Sequence, residues 1–561
     1  MSKSRNVLCT GLLSTLAQPV LAALTLPALF SDHMILQRDA AVPVWGTAAA
    51  GETVTVEFAG QKKTGTAAAD GRWMVKLNAL PASSESRDLL VSTGAETLKR
   101  SDVLVGEVWV ASGQSNMGVP LNSAHNAADQ LPRAEDPLLR FFRVPTRCAG
   151  EPQSDVSAKW EASTPTAAKG FSAVAWFFAR DIRADQKCPV AVLQAPWGGT
   201  SIETWISLEG FQRDPPLAKP LEQWAAALAQ HARVRADPRL ESDFLADMKL
   251  WQAEVAPGYN KTVKDYNEAK AAGREVGPKP QPSRPEPVNP DPMVMPGPSR
   301  RPGTPTVNFN GMIAPLVPYA IRGVIWYQGE NNGGAGLEYR ALMPRLIEDW
   351  RARWNQEGKG KEFPFLYVQL PANGPDAKPV AERGWPWLRE AQLMTLRAPN
   401  TGMAITLDVG NPADVHPAGK EPVGRRLALL ARKLAYGENL AASGPLYRDF
   451  SLEPDGKVRV RFSETGGGLT LGQSPWYAPG VAPFPPDKLI GFFLAGEDRA
   501  WVEAEARIDG HDVIVSSAPV PKPVAVRYGW ANSPRCNLYN QEGLPASPFR
   551  TDDWPMPGSK P

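Results

Sequence analysis

Between Val105 and Leu434 the chain alternates two periodicities, and this alternation restricts the fold more than any other feature. Short apolar runs (VGEVWVA, CPVAVLQA, IRGVIWYQ, PFLYVQL and GMAITLD) have the texture of strands buried on both faces. Longer amphipathic stretches separate them, among them FSAVAWFFARDIRAD, EYRALMPRLIEDWRARW and GRRLALLARKLAYG. Parallel strands need crossover helices that cover their sheet, so the pattern predicts an α/β domain over residues 105–436, a parallel sheet covered by helices.

The flanks read differently. Residues 23–104 carry short β-like runs (AVPVWG, TVTVEFAG, RWMVKL) broken by turn residues, which predicts an N-terminal β-sandwich. Residues 437–561 return to that texture in KVRVRFSE, LIGFFLAG, VEAEARIDGHDVIVSS and VAVRYGWA, predicting a second β-sandwich unit. A chain of 561 residues is too long for one core, in keeping with this division. Within the α/β region an insertion over about residues 211–306 begins helically (LEQWAAALAQHARV) and turns Pro-rich (GPKPQPSRPEPVNPDPMVMPGPSRRPGTP). Its composition predicts an extended surface excursion.

Charge narrows the partners. Lys plus Arg total 61 against 59 Asp plus Glu, a net charge of +2, which argues against a surface that tracks nucleic acid. No apolar stretch of about 20 residues occurs beyond the N-terminus, so no membrane span is expected. At the N-terminus itself, Lys3 and Arg5 precede VLCTGLLSTLAQPVLA, which closes on Val20-Leu21-Ala22. This predicts a cleaved signal peptide over residues 1–22 and a secreted or periplasmic protein. Cys9 leaves with that leader, and the odd remainder of Cys148, Cys188 and Cys536 makes no disulfide framework. The histidines are scattered without zinc spacing, and no metal or other cofactor is expected.

Ligands bind beyond the carboxyl ends of strands in open α/β sheets, and four of the expected strands end there in polar, Gly-rich loops. These are Gly113-Gln114-Ser115-Asn116, Trp197-Gly198-Gly199-Thr200, Gln328-Gly329-Glu330-Asn331-Asn332, and the segment running through Asp408 to Asp414-Val415-His416. Each signal is weak alone, and their shared edge carries the weight. A serine hydroxyl needs an imidazole to take its proton and donors to hold the developing oxyanion. Ser115 is therefore the candidate nucleophile, His416 the base, and Asp414 the group that orients the ring. The N–H groups of Ser115 and Gly199, with the Gln328 side chain, are the candidate oxyanion donors. His125 is the rival base. Trp197, Trp205, Trp326, Trp385 and Trp387 lie near strand ends, and sugar rings stack on such indoles. Arg383 and Arg389, flanking GWPW, are candidate partners for a substrate carboxylate.

Together the segments LFSDHMILQRDAAVPVWG, GEVWVASGQSNM, WGGTSIETW, NGMIAPLVPYAIRGVIWYQGENN, DVHPAGKEPVGRRLALLA and CNLYNQEGLPASPFRTDDW resemble the SGNH hydrolase superfamily. Within it they are most similar to the sialate O-acetylesterase-like carbohydrate esterases. The resemblance implies a flavodoxin-like three-layer αβα catalytic domain with flanking β-sandwich units. It also implies an O-acetylated carbohydrate as substrate, with Ser115 as nucleophile, His416 as base and Gly199 as an oxyanion donor. The sequence departs from the superfamily at the acid, which many members place three residues before the histidine. Ala413 stands there and Asp414 one residue nearer, so a Ser-His dyad with a backbone carbonyl on the imidazole is the alternative. Asn331 matches the superfamily's Gly-x-Asn asparagine, but the QGE surroundings favour Gln328 as third donor. Two further readings stay open: an esterase acting on xyloglucan or xylan, and an inactive carbohydrate-binding protein.

Overall fold

A computed structural model of the chain describes residues 23–271, 274–297, 301–374, 380, 383–474 and 484–557. The leader expected over residues 1–22 lies outside them.

The apolar runs form a central sheet of seven strands: β1 (Thr97–Gly113), β2 (Asp136–Arg143), β3 (Trp160–Ser163), β4 (Val190–Pro196), β5 (Gly323–Tyr327), β6 (Phe365–Val368) and β7 (Thr401–Ala404). Their spatial order is β7-β6-β5-β1-β4-β2-β3, and every pairing is parallel except the antiparallel edge between β2 and β3. The chain works through β2, β3 and β4 on one side of β1 and then crosses to β5, β6 and β7 on the other. β1 is therefore the switch point, where a doubly wound sheet opens a crevice.

Helices cover both faces. On one, α1 (Ala173–Gln186) packs on α4 (Lys420–Leu434), and Phe178 of α1 meets Trp109 of β1 edge-on at 5.0 Å. On the other, α2 (Gly336–Trp354) packs on α3 (Trp385–Met394), and Trp350 of α2 meets Trp326 of β5 at 5.7 Å. Residues two apart in a strand share a face, so Trp326 and Val324 look one way and Ile325 the other. The result is the three-layer αβα architecture.

β1 is also the seam with the N-terminal unit. Its first half pairs with Ser83–Ser92 and Ile35–Gln37, and its second half with β4 and β5. A boundary at residues 104 and 105 thus falls inside one strand. At the other end of the chain, Leu446–Leu452, Val458–Ser463, Glu505–Asp509 and Asp512–Ser516 form one antiparallel sheet, and Phe492–Ala495, Trp501–Glu503, Ala525–Tyr528 and Phe549–Arg550 a second. Val460, Val513, Leu494, Val526 and Phe549 fill their shared core. The insertion forms helices over Ala218–Ala236, Arg239–Glu254 and Ala256–Ala271. Among the described residues its Pro-rich part has no helix or strand, in keeping with proline's missing N–H, yet it is anchored: His231 Nδ1 lies 2.8 Å from Asp291 Oδ2, and Met293 is buried.

Candidate active site

Ser115 stands where β1 ends and a four-residue helical turn, Ser115–Gly118, begins. The backbone reaches this turn because Gly113 takes φ +130°, and a side chain there would strike the Tyr327 carbonyl oxygen, 2.2 Å from an ideal Cβ. The loop after β4 closes in from the other side. Trp197 N–H donates to the Gly113 carbonyl at 3.0 Å, and a Cβ on Gly198 would sit 2.9 Å from that of Ser115. Only glycine at 198 leaves the serine its place.

His416 arrives from the loop between β7 and α4, and its Nε2 lies 2.8 Å from Ser115 Oγ. Asp414 takes a looser position than a triad acid. Its Oδ1 accepts the backbone N–H of His416 at 2.9 Å but stands 3.8 Å from Nδ1, beyond hydrogen-bond range. It acts on the ring as a nearby charge. Burial lowers the His416 pKa, Asp414 raises it, Lys420 lowers it again, and the net displacement is downward. The imidazole is neutral near pH 7, as a base must be. Of the two candidate bases, His416 and not His125 lines the cleft beside Ser115.

Four sequence-assigned residues need correction. Gln328 is fully buried and committed: its Nε2 donates to Thr200 O at 3.2 Å and Asn332 Oδ1 at 2.7 Å, while its Oε1 accepts from the Tyr339 hydroxyl at 2.8 Å. It staples the loops after β4 and β5 and is no oxyanion donor. Arg389 is buried in α3, where its guanidinium donates to the carbonyls of Leu370, Pro371, Ala531 and Asn532. It ties the C-terminal unit to the catalytic domain and meets no substrate. Trp387 is 2 % exposed and packs on Trp530, and the half-buried Trp385 packs against Gly333. Both are packing residues.

Trp197 does line the cleft that holds Ser115 and His416, a space of about 750 Å³. Arg143, Lys159 and Glu161, which the sequence pattern did not single out, line it too. Arg143 extends one nitrogen to both Glu161 carboxylate oxygens at 3.1 Å. The N–H groups of Ser115 and Gly199 have no acceptor among the described residues.

Beneath the Ser-His pair lies a buried polar chain that sequence reasoning also missed. Asn116 donates from Nδ2 to Val415 O at 2.8 Å and to Glu330 Oε1 at 2.5 Å, and its Oδ1 accepts from Lys420 Nζ. Desolvation raises the Glu330 pKa and pushes that of Lys420 down to about 7. One signal was available in the sequence: Lys420 begins a helix, where a cation opposes the dipole.

A serine held against a neutral imidazole, at the switch point of a doubly wound sheet, defines a carboxylic ester hydrolase of the SGNH type. Comparison with known proteins agrees. The chain is 30% identical over 567 residues to the sialate O-acetylesterase of Rattus norvegicus and 28% over 563 residues to that of Mus musculus, covering 92% of each chain in both pairs. A crystal structure of a carbohydrate acetylesterase from Xanthomonas citri superposes with a TM-score of 0.73 at 34% identity, covering 95% of this chain and 100% of that one. No protein-family model matches. At this identity and coverage the chain belongs to the sialate O-acetylesterase family.

Proposed function

We propose that the chain hydrolyses O-acetyl esters on carbohydrates by two-step acyl transfer. The observation that carries this reading is the 2.8 Å contact between Ser115 Oγ and His416 Nε2. Ser115 attacks the acetyl carbonyl while His416 takes its proton, then returns it to the departing sugar hydroxyl. Water, deprotonated by the same imidazole, attacks the acetyl-enzyme and releases acetate. The N–H groups of Ser115 and Gly199 hold the oxyanion, with support from their freedom from internal acceptors. Asn331 takes the third-donor role in place of Gln328: it is exposed at the site, and its backbone N–H donates to Gln114 Oε1 at 3.2 Å, beside Ser115.

The sugar lies in the cleft against Trp197 and the Arg143–Glu161 pair. Lys159 is the cleft cation without a carboxylate partner among the described residues and would receive the carboxylate of a sialic acid. A second reading, an acetylated neutral polysaccharide such as xyloglucan or xylan, draws on Arg143. Glu161 neutralises it, and a donor beside an acceptor suits paired sugar hydroxyls.

Acetate release from O-acetylated sialic acid and from O-acetylated xyloglucan, by wild type and Ser115→Ala, tests both. We expect Ser115→Ala to lose at least about 10⁴-fold in kcat, with the better wild-type substrate naming the sugar class. Acetate release from neither substrate, together with retained polysaccharide binding, would instead show a binding protein.

A further inference from the structure

Asp414 leaves Nδ1 without the close carboxylate that orients a catalytic histidine, so another group must hold His416 against Ser115. The buried side of the nucleophile turn supplies one. Asn116 follows Ser115 directly and is fully buried, and its amide joins three loops. It belongs to the first, and its NH₂ donates to Glu330 of the second and to the Val415 carbonyl of the third, one residue before His416. Fixing that carbonyl fixes the point from which the imidazole swings.

Lys420 sets which way the amide faces. Its ammonium donates to Asn116 Oδ1, and this forces the Asn116 NH₂ toward Val415 and Glu330. Burial at this location works against a lysine and outweighs the nearby groups that favour its charge. Lys420 is 1% exposed and opens α4, where the helix N-terminus already gathers positive partial charge. Tyr327 offers a ring face at 5.4 Å, and Glu330 an opposite charge through Asn116. A position with only a packing role would be served better by an apolar side chain of similar volume.

We propose that Asn116 and Lys420 are positioning residues: Asn116, oriented by Lys420 and Glu330, ties Val415 to the nucleophile turn and so holds the His416 ring on Ser115 through the backbone instead of through Nδ1. This rests on the reading of Ser115 and His416 as nucleophile and base. The charge of Lys420 adds to the effect by disfavouring the imidazolium. The groups around His416 are Asp414 on its own loop, Lys420 at the start of α4, Glu330 behind Asn116, and Arg143, Lys159 and Glu161 along the cleft. Of these, Asp414 raises the His416 pKa and Lys420 lowers it.

The test is steady-state kinetics of the full chain over about pH 4.5 to 9. Lys420→Met is compared with Lys420→Met/Glu330→Gln, which leaves no lone buried carboxylate. In both, kcat should fall about 10- to 100-fold while KM stays within about twofold, the pattern of lost alignment. The acid limb of kcat should move to higher pH, because the repelling charge is gone. Folded variants with wild-type kcat and an unmoved limb would overturn the proposal. A second measurement needs no change in the core: proton NMR of wild type and Asp414→Asn. Neither should show a strongly deshielded Nδ1 proton. Its presence in the wild type and loss in Asp414→Asn would return the orienting role to Asp414. Failure of the underlying esterase reading looks different, as acetate release that survives Ser115→Ala.

Discussion

The loops that follow β5 and β7 lie along one sheet edge and are built on opposite plans. In the first, Gln328 and Asn332 are buried, and their amides are bonded to Thr200, Ile202, Glu203 and each other. In the second, Ala413, Asp414 and His416 are exposed, and besides the ring's contact with Ser115 the polar contacts beside it are the Asx turn to Asp414 and the bond from Asn116 to Val415. One loop is a wall that shapes the site; the other is an arm that delivers a proton acceptor to it. The difference teaches that a rigid pocket and a functional base need different amounts of local bonding, provided a buried neighbour holds the arm.

Three experiments break or sharpen this contrast. The largest effect belongs to His416→Ala, which removes what the arm exists to deliver. Its kcat should fall by about 10³-fold or more, with a melting temperature close to wild type because the ring is half exposed. Gln328→Ala attacks the wall instead. It takes the side-chain donor from Thr200 O and the side-chain acceptor from the Tyr339 hydroxyl in a buried site, and stability measured by urea denaturation should drop by about 1–3 kcal/mol. A stability unchanged by that substitution would erase the distinction between the loops.

The smallest effect is expected of Asp414→Asn. The amide oxygen still accepts the His416 N–H, so the turn survives and only the charge is lost. That charge favours the imidazolium. Its removal lowers the His416 pKa and moves the acid limb of kcat to lower pH, opposite in sign to Lys420→Met. The loss in kcat at neutral pH should stay below about tenfold for a half-exposed charge outside hydrogen-bond range. A much larger loss would make Asp414 a full triad member.

The five long apolar runs were legible because a strand buried on both faces has few polar positions to blur it; Glu107 and Gln194 are among the exceptions. β2 and β3 were not. β2 carries Arg140, a charged residue that is nonetheless buried, bonded to the carbonyls of His33 and Asp102 and paired with the Asp102 carboxylate. Side-chain pairing hid a core strand from hydropathy. The same cause misplaced Arg389, whose charge reads as a surface group until α3 turns it into the carbonyls of a domain junction. Ser115, Gly199 and His416 were legible as chemistry-bearing residues in turns at strand ends. The Asn116–Lys420 contact was not, because it joins positions about 300 residues apart and shows in neither periodicity nor motif.

The strand shared between the N-terminal unit and the catalytic sheet has a kinetic consequence. β1 finds its first partners nearby, in Ser83–Ser92, and its last in β5, far along the chain. Loop closure makes distant pairings slow to form, so on refolding the amino-terminal half of β1 orders early while the half ending at Ser115 waits for β5. Recovery of esterase activity should therefore trail recovery of β structure. Cutting the chain ahead of Val105 would deprive the nucleophile's strand of the template on which it first assembles.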